Sequence, residues 1–295
     1  MISSGKRSPR GPSDAAPADG RPDASADALT GRTIVMSGGS RGIGLAILKA
    51  AARAGANCVL LAKTDTLHPR LPGTAHTAVA AIEAAGGKAV AVIGDVRNGD
   101  DVARAVDTAV TRFGGVDICV NNASALNVGS TDEVGLKQFD LMHEVNVRGT
   151  YALTRACLPH LRRSTHAHIL TLSPPLNLDP RWLGAHPAYT TSKYAMTLLT
   201  LGWAAELADQ KIAANCLWPQ TLIATSAVSN ILGRDQAERA RSPQIMADAA
   251  MAILGRPPAE RSGSALIDAD VLTEFADPDF ERYGGGVDPL PDLFV

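Results

Sequence analysis

The chain has 295 residues, 45% of them hydrophobic and 20% charged, with a net charge of −2. That is enough apolar material for one large globular domain with a sizeable core, and its charge is too balanced to mark a nucleic-acid partner. No apolar run approaches the ~20 residues of a bilayer span, and the N-terminus lacks the apolar core of a secretory signal.

Residues 1–31 are mostly Pro, Ala, Asp, Ser and Gly without an aromatic residue. Such a segment cannot bury enough apolar surface to offset its ordering entropy, so a disordered arm is predicted ahead of a single domain at 32–275. From Gly31 onward short apolar runs alternate with longer amphipathic segments. The runs at 32–38, 57–62, 88–95, 116–122, 167–173, 212–219 and 264–268 predict strands; helical patterns fall between them at 44–55, 76–86, 101–114, 139–162 and 189–209. The strands are apolar without clean alternation, as expected when both faces are covered. The order predicts an α/β fold with a doubly wound parallel sheet of about seven strands, whose ligands sit beyond the carboxyl ends of the strands.

The first strand runs directly into SGGSRGIG (37–44) and then a helix. Gly38, Gly42 and Gly44, with Ser40, Arg41 and Ile43 between them, have the make-up of a dinucleotide turn of Rossmann type. Glycine lets the backbone approach a pyrophosphate, and the helix N-terminus offers free N–H groups. After the second strand, where an acid would hold the ribose hydroxyls of NAD, stands Lys63, with Arg41 as a second cation on the same side. These favour NADP(H), while Asp65 keeps an NAD(H) reading open. Asp95 and Val96 end the third strand, and Asn122 and Ala123 follow the fourth, positions that line the adenine side of such a crevice.

The cysteines Cys58, Cys119, Cys157 and Cys216 are scattered through apolar stretches and read as buried reduced thiols, which points to a cytoplasmic protein. His166 and His168 come closest to a metal pair, but they lack a Cys, Asp or Glu at ligand spacing, and no metal role is expected.

Ser173 closes the fifth strand, and HPAYTTSKYA (186–195) opens the next helix. Tyr189 and Lys193, at i,i+4, lie ~40° apart on one helical face; Tyr194 points ~140° away and continues into Leu198 and Leu201, a packing face. Bringing a phenol from a pKa near 10 to about 7 takes some 4 kcal/mol of preferential stabilisation of the phenolate. A nearby ammonium is the right kind of source, and Ser173 is expected to hold a substrate oxygen beside the phenol.

Together these motifs resemble the short-chain dehydrogenase/reductase superfamily over roughly residues 32–270. SGGSRGIG is similar to its T-G-x-x-x-G-x-G, NNAS to its N-N-A-G, and YTTSK to its Y-x-x-x-K. AKTDTLHPRLPGT (62–74), LTLSPPLNLDPRW (170–182), AYTTSKYAMT (188–197) and NCLWPQTLIAT (215–225) bring it closest to the hydroxysteroid-dehydrogenase-like subgroup. Some members carry a C-terminal sterol-carrier domain, which is not expected here because the chain stops at Val295.

The resemblance implies NAD(P)-linked hydride transfer between an alcohol and a carbonyl. Tyr189 would be the acid/base, Lys193 would tune it and bind the nicotinamide ribose, and Ser173 would orient the substrate oxygen. Asn146 in HEVNVRGTY matches a helix asparagine that supports a water relay to the lysine. The poor helix formers around Asn146 and Gly149 predict a bend there. An alternative substrate class is a 3-ketoacyl lipid intermediate, and an alternative role is a non-catalytic NADP-binding sensor.

Several residues depart from the family pattern. Ser37 stands for Thr and should still hydrogen-bond, Ser124 replaces a glycine, and Pro219-Gln220 replaces Pro-Gly, with Thr225 the candidate carboxamide contact. The interval from Ser173 to Tyr189 is longer than usual, and Pro174, Pro175, Leu176 and Trp182 are expected to wall a moderately apolar substrate site, together with TSAVSNILG (225–233). The helix at 189–209 is apolar on more than one face, which predicts a homodimer or homotetramer. The irregular tail at 276–295 is expected to dock on a neighbouring subunit.

Overall fold

The computed structural model describes residues 28–66, 73–225, 228, 238–275 and 279–295. The predicted disorder of the arm falls on residues 1–27, and most of TSAVSNILG likewise lies outside the described residues.

Seven strands form one wholly parallel sheet: β1 (Thr33–Ser37), β2 (Asn57–Ala62), β3 (Lys88–Ile93), β4 (Ile118–Asn121), β5 (His168–Thr171), β6 (Ala213–Trp218) and β7 (Ala265–Ile267). Their order is β3-β2-β1-β4-β5-β6-β7. The reversal of direction between β1 and β4 opens the crevice in which doubly wound sheets bind ligands. All five residues of β1 are buried, because successive side chains enter cores on opposite faces. Ile34 and Met36 join the core built by α1 (Gly42–Arg53), α2 (Ala75–Glu83), α8 (Gln244–Leu254) and α9 (Asp268–Phe275). Val35 joins the core built by α3 (Gly99–Phe113), α5 (Gly149–Leu161) and α7 (Pro187–Glu206). Helix α8 is apolar almost all round and is not among the elements predicted above.

The predicted helix at 139–162 is three pieces: α4 (Leu136–Met142), a π-helical turn (His143–Arg148) and α5. The expected bend is this π turn, and it carries Asn146 on its buried side. Gly149 has a further reason to be glycine: a Cβ there would stand 2.8 Å from Cγ1 of Val96, so α5 can approach the end of β3 only without one.

The described residues begin ahead of β1, inside the span expected for the arm. Residues 28–31 form a turn in which Leu29 N donates to Ala54 O (3.0 Å) and Gly31 N to Gly55 O (3.1 Å). Leu29 is fully buried in the α1 core. Leu29→Ala is therefore expected to cost about 2–5 kcal/mol of stability, read as a lower urea midpoint; a change within ~0.5 kcal/mol would show that this turn is not part of the folded unit.

Candidate active site

At the crevice, β1 ends in Ser37 and the chain turns through Gly38 at φ 78° into α1. A Cβ on Gly44 would lie 2.6 Å from Nδ2 of Asn122 and 2.9 Å from Gly38 O. That closeness is functional bracing: Asn122 Nδ2 donates to Ser37 O (3.0 Å) and Gly38 O (2.9 Å). Ser37 Oγ accepts from the backbone N–H of Asn122 (3.2 Å) and Ala123 (3.1 Å), as expected of the hydroxyl standing for threonine. Helix α1 starts with no capping side chain and no acid in its first turn. Its N–H groups are open to an anion, and Gly38 and Gly44 lack side chains because Asn122 packs against both.

Beside the turn, Lys63 Nζ pairs with Asp95 Oδ2 at 3.2 Å. Arg97 grips the same carboxylate through Nε (2.9 Å) and Nη2 (2.7 Å). Partial burial works against ionisation of Asp95, but the bonds from Arg97 and Lys63 prevail and hold it at about 2. Arg41 Nη2 donates to Thr64 Oγ1 (2.8 Å) and Gly73 O (3.1 Å). Asp65, the acid that kept NAD open, is turned to His76 Nε2 at 2.7 Å.

A cavity of about 450 Å³ runs from this turn along the carboxyl ends of the strands. Ile43, Asn122, Thr225, Tyr189, Lys193 and Pro219 are among its lining residues. Thr225 sits against the turn itself, its methyl 3.3 Å from where a Cβ of Gly42 would be. Lys193 is 2% exposed. Its Nζ donates to Leu172 O (2.5 Å) and lies 4.9 Å over the Trp218 ring. Burial lowers its pKa to about 7. Burial, and after it the charge of Asp292, push the Tyr189 phenol well above its ordinary value, while the Ser124 side chain pulls the other way. Tyr194 OH donates to Asn177 O (2.5 Å), so it ties down the loop after β5.

Ser173 is not where it was expected. Its N donates to Thr171 O (3.0 Å) in a tight turn past β5. The side chain is fully buried and accepts from Thr197 Oγ1 at 3.0 Å. Ser173 is absent from the cavity lining. Asn146 ties the loop after β4 to the helix that carries Lys193. Its Oδ1 accepts from Ala125 N (2.7 Å), and its Nδ2 donates to Ala125 O (2.9 Å) and Ser192 Oγ (3.0 Å).

The loop at 174–183 does not wall the cavity either. Its Trp182 packs on Phe294, ring centroids 5.9 Å apart, and the tail takes the wall's place. Pro291 bridges Thr221 antiparallel, Asp292 N donates to Gln220 O (3.0 Å), and Trp218 Nε1 donates to Leu293 O (2.8 Å). Phe294 is 2% exposed among Trp182, Tyr189, Tyr194 and Trp218. Asp292 and Leu293 line the cavity. The tail expected on a neighbour thus closes its own subunit's site. Gln220 is held there from both sides, since its N donates to Asp268 Oδ1 (2.8 Å).

The pair His166 and His168 is structural: their Nε2 atoms bond Leu254 O (2.6 Å) and Arg256 O (3.1 Å). All four cysteines are free and buried. Among the described residues no helix is long and apolar enough to cross a membrane.

The short chain dehydrogenase family model matches residues 32–234. Hydroxysteroid dehydrogenase-like protein 2 of Danio rerio is 48% identical over 271 residues, covering 90% of this chain and 64% of the relative. Its Homo sapiens counterpart is 49% identical over 222 residues, covering 75% of this chain and 53% of the relative. The chain therefore spans between about half and two-thirds of these relatives' length. The crystal structure of a short chain dehydrogenase from Mycobacterium thermoresistibile superposes with a TM-score of 0.86 at 51% identity, covering 90% of this chain and 96% of that one. With the parallel seven-stranded sheet and the glycine turn at its switch point, these likenesses make the chain a member of the short-chain dehydrogenase/reductase family of oxidoreductases.

Proposed function

We propose that the chain is an NADP(H)-dependent enzyme that interconverts a secondary alcohol and a carbonyl on a moderately apolar substrate. The observation that carries this reading is one cavity lined both by Ile43 of the glycine turn and by Tyr189 and Lys193. When bound, the nicotinamide supplies or accepts the hydride. The chain's own part is to hold the pyrophosphate at Gly38–Gly44 and to exchange a proton at the Tyr189 phenol oxygen. Lys193 would bind the nicotinamide ribose, and Leu172 O fixes its ammonium.

NADP is favoured by the cation pair. Lys63 can leave Asp95 for a phosphate because Arg97 keeps the carboxylate satisfied through two bonds. Lys63→Ala and Arg41→Ala are each expected to weaken NADPH binding about tenfold, the loss of one hydrogen bond to a charged group, and to leave NADH binding unchanged. Equal losses for both cofactors in a fluorescence titration would remove the preference.

The substrate reading rests on the cavity's apolar share, from Leu126, Val128, Leu222 and Leu293. The name of the relatives adds steroid alcohols as one class to test. An NADPH-oxidation panel of steroid ketones, 3-ketoacyl thioesters and aliphatic ketones is expected to find turnover. Tight NADPH binding with no turnover on any of them would favour the sensor. A second copy of the chain is our reading for the half-exposed Tyr151 on α5 and Leu198 on α7, and the free buried thiols suit a cytoplasmic location.

A further inference from the structure

We propose that Ser124, and not Ser173, is the hydroxyl that orients the substrate oxygen against Tyr189. The inference rests on the carbonyl/alcohol reading above and assigns one of its parts. Three observations carry it.

First, the hydroxyl expected for this task is out of reach. Ser173 is fully buried, engaged by Thr197, and absent from the cavity. Second, Ser124 lines the cavity together with Tyr189 and is solvent-exposed within it. Its hydroxyl makes a long bond to Ala125 O (3.4 Å), weak enough to yield to a substrate oxygen. The other aliphatic hydroxyl of the lining, Thr225, belongs to a residue packed against Gly42 of the turn. Third, Ser124 is held there. The residue after it, Ala125, is clamped through both N and O by Asn146 (2.7 and 2.9 Å). Asn146 is in turn bonded to Ser192, one residue before Lys193 on α7. The loop bearing Ser124 and the helix bearing Tyr189 are therefore tied into one unit, and Asn146 is a positioning residue for it.

This also gives a role to a departure from the family pattern. Where N-N-A-G has no side chain, this chain has a hydroxyl. In reduction, the carbonyl carbon takes the hydride from reduced nicotinamide and the carbonyl oxygen takes the proton of Tyr189. Ser124 keeps its own proton and donates a hydrogen bond to that oxygen. In oxidation the same oxygen returns its proton to the phenolate.

The test compares Ser124→Ala, Ser124→Thr and Ser173→Ala in the full chain. Tyrosine labelled with carbon-13 at Cζ gives one resonance per tyrosine, and Tyr189→Phe assigns the one of interest. That resonance is expected to move in Ser124→Ala, to stay in Ser173→Ala and to be restored in Ser124→Thr. With NADPH and a carbonyl found by the panel, Ser124→Ala is expected to lose on the order of 10²-fold in kcat, as for a lost oxyanion donor, with NADPH affinity unchanged. Ser173→Ala should stay within a few-fold. An unmoved Tyr189 resonance in Ser124→Ala overturns the proposal, as does a loss confined to Ser173→Ala at unchanged melting temperature. If the wild-type chain turns over no carbonyl, the functional reading fails. The Cζ resonance then decides by itself whether Ser124 reaches the phenol.

Discussion

Tyr189→Phe is expected to cut carbonyl reduction roughly 10²–10⁴-fold, the range of a lost general acid, and to leave NADPH binding and the melting temperature unchanged. The ring stays: it is 6% exposed and packs on Phe294 with centroids 6.2 Å apart, contacts that phenylalanine keeps. Tyr189 lines the cavity beside the exposed Ser124, so removing its hydroxyl strands no deeply buried partner. Tyr194→Phe is the control with the opposite profile. It loses the bond to Asn177 O (2.5 Å) and the one from Asn177 N (3.2 Å), worth about 1 kcal/mol each, and should keep its turnover. Substantial reduction by Tyr189→Phe at saturating NADPH would sink the assignment of the phenol.

What could be read before folding and what could not divides along physical lines. The strands, the glycine turn and the Tyr189–Lys193 face depend on local periodicity, and the helix α7 presents that face as its 100° step requires. The role of Gly149 is not local: only the approach of α5 to Val96 explains it. The facing of Ser173 is not legible locally, because a serine at a strand end can face either way. The tight turn past Thr171 and the partner Thr197, 24 residues on, decide for the interior. Ser124 carried a signal, a side chain where the family pattern has none, but its meaning needed the neighbouring phenol. The tail was least legible. Its glycines and prolines mark irregular backbone, yet its place is set by contacts over long separations, such as Trp218 Nε1 with Leu293 O across 75 residues.

That tail brings an acid into the site, and Asp292→Asn is expected to change how stability depends on pH. Burial raises the folded-state pKa of Asp292 to about 7 from 3.8; Asp268 adds to the rise, and Lys193 opposes it. Between these values the folded chain holds a proton that the unfolded chain has released, so this group's contribution to stability falls as pH rises from about 4 to about 7. Lys193 works in the opposite sense. Its folded pKa is lowered to about 7 from 10.5, so the unfolded chain binds the extra proton above pH 7, and stability rises toward pH 10. The two limbs meet near neutrality. In Asp292→Asn the falling limb should vanish, so the variant gains on the wild type by up to about 1.4 kcal/mol per pH unit between pH 4 and 7, measured from urea midpoints. A wild-type slope that survives the substitution would mean the carboxyl is ionised in the folded chain. The same carboxylate raises the Tyr189 phenol. Its removal should therefore let the phenol deprotonate at lower pH and bring the alkaline limb of the reduction rate down with it.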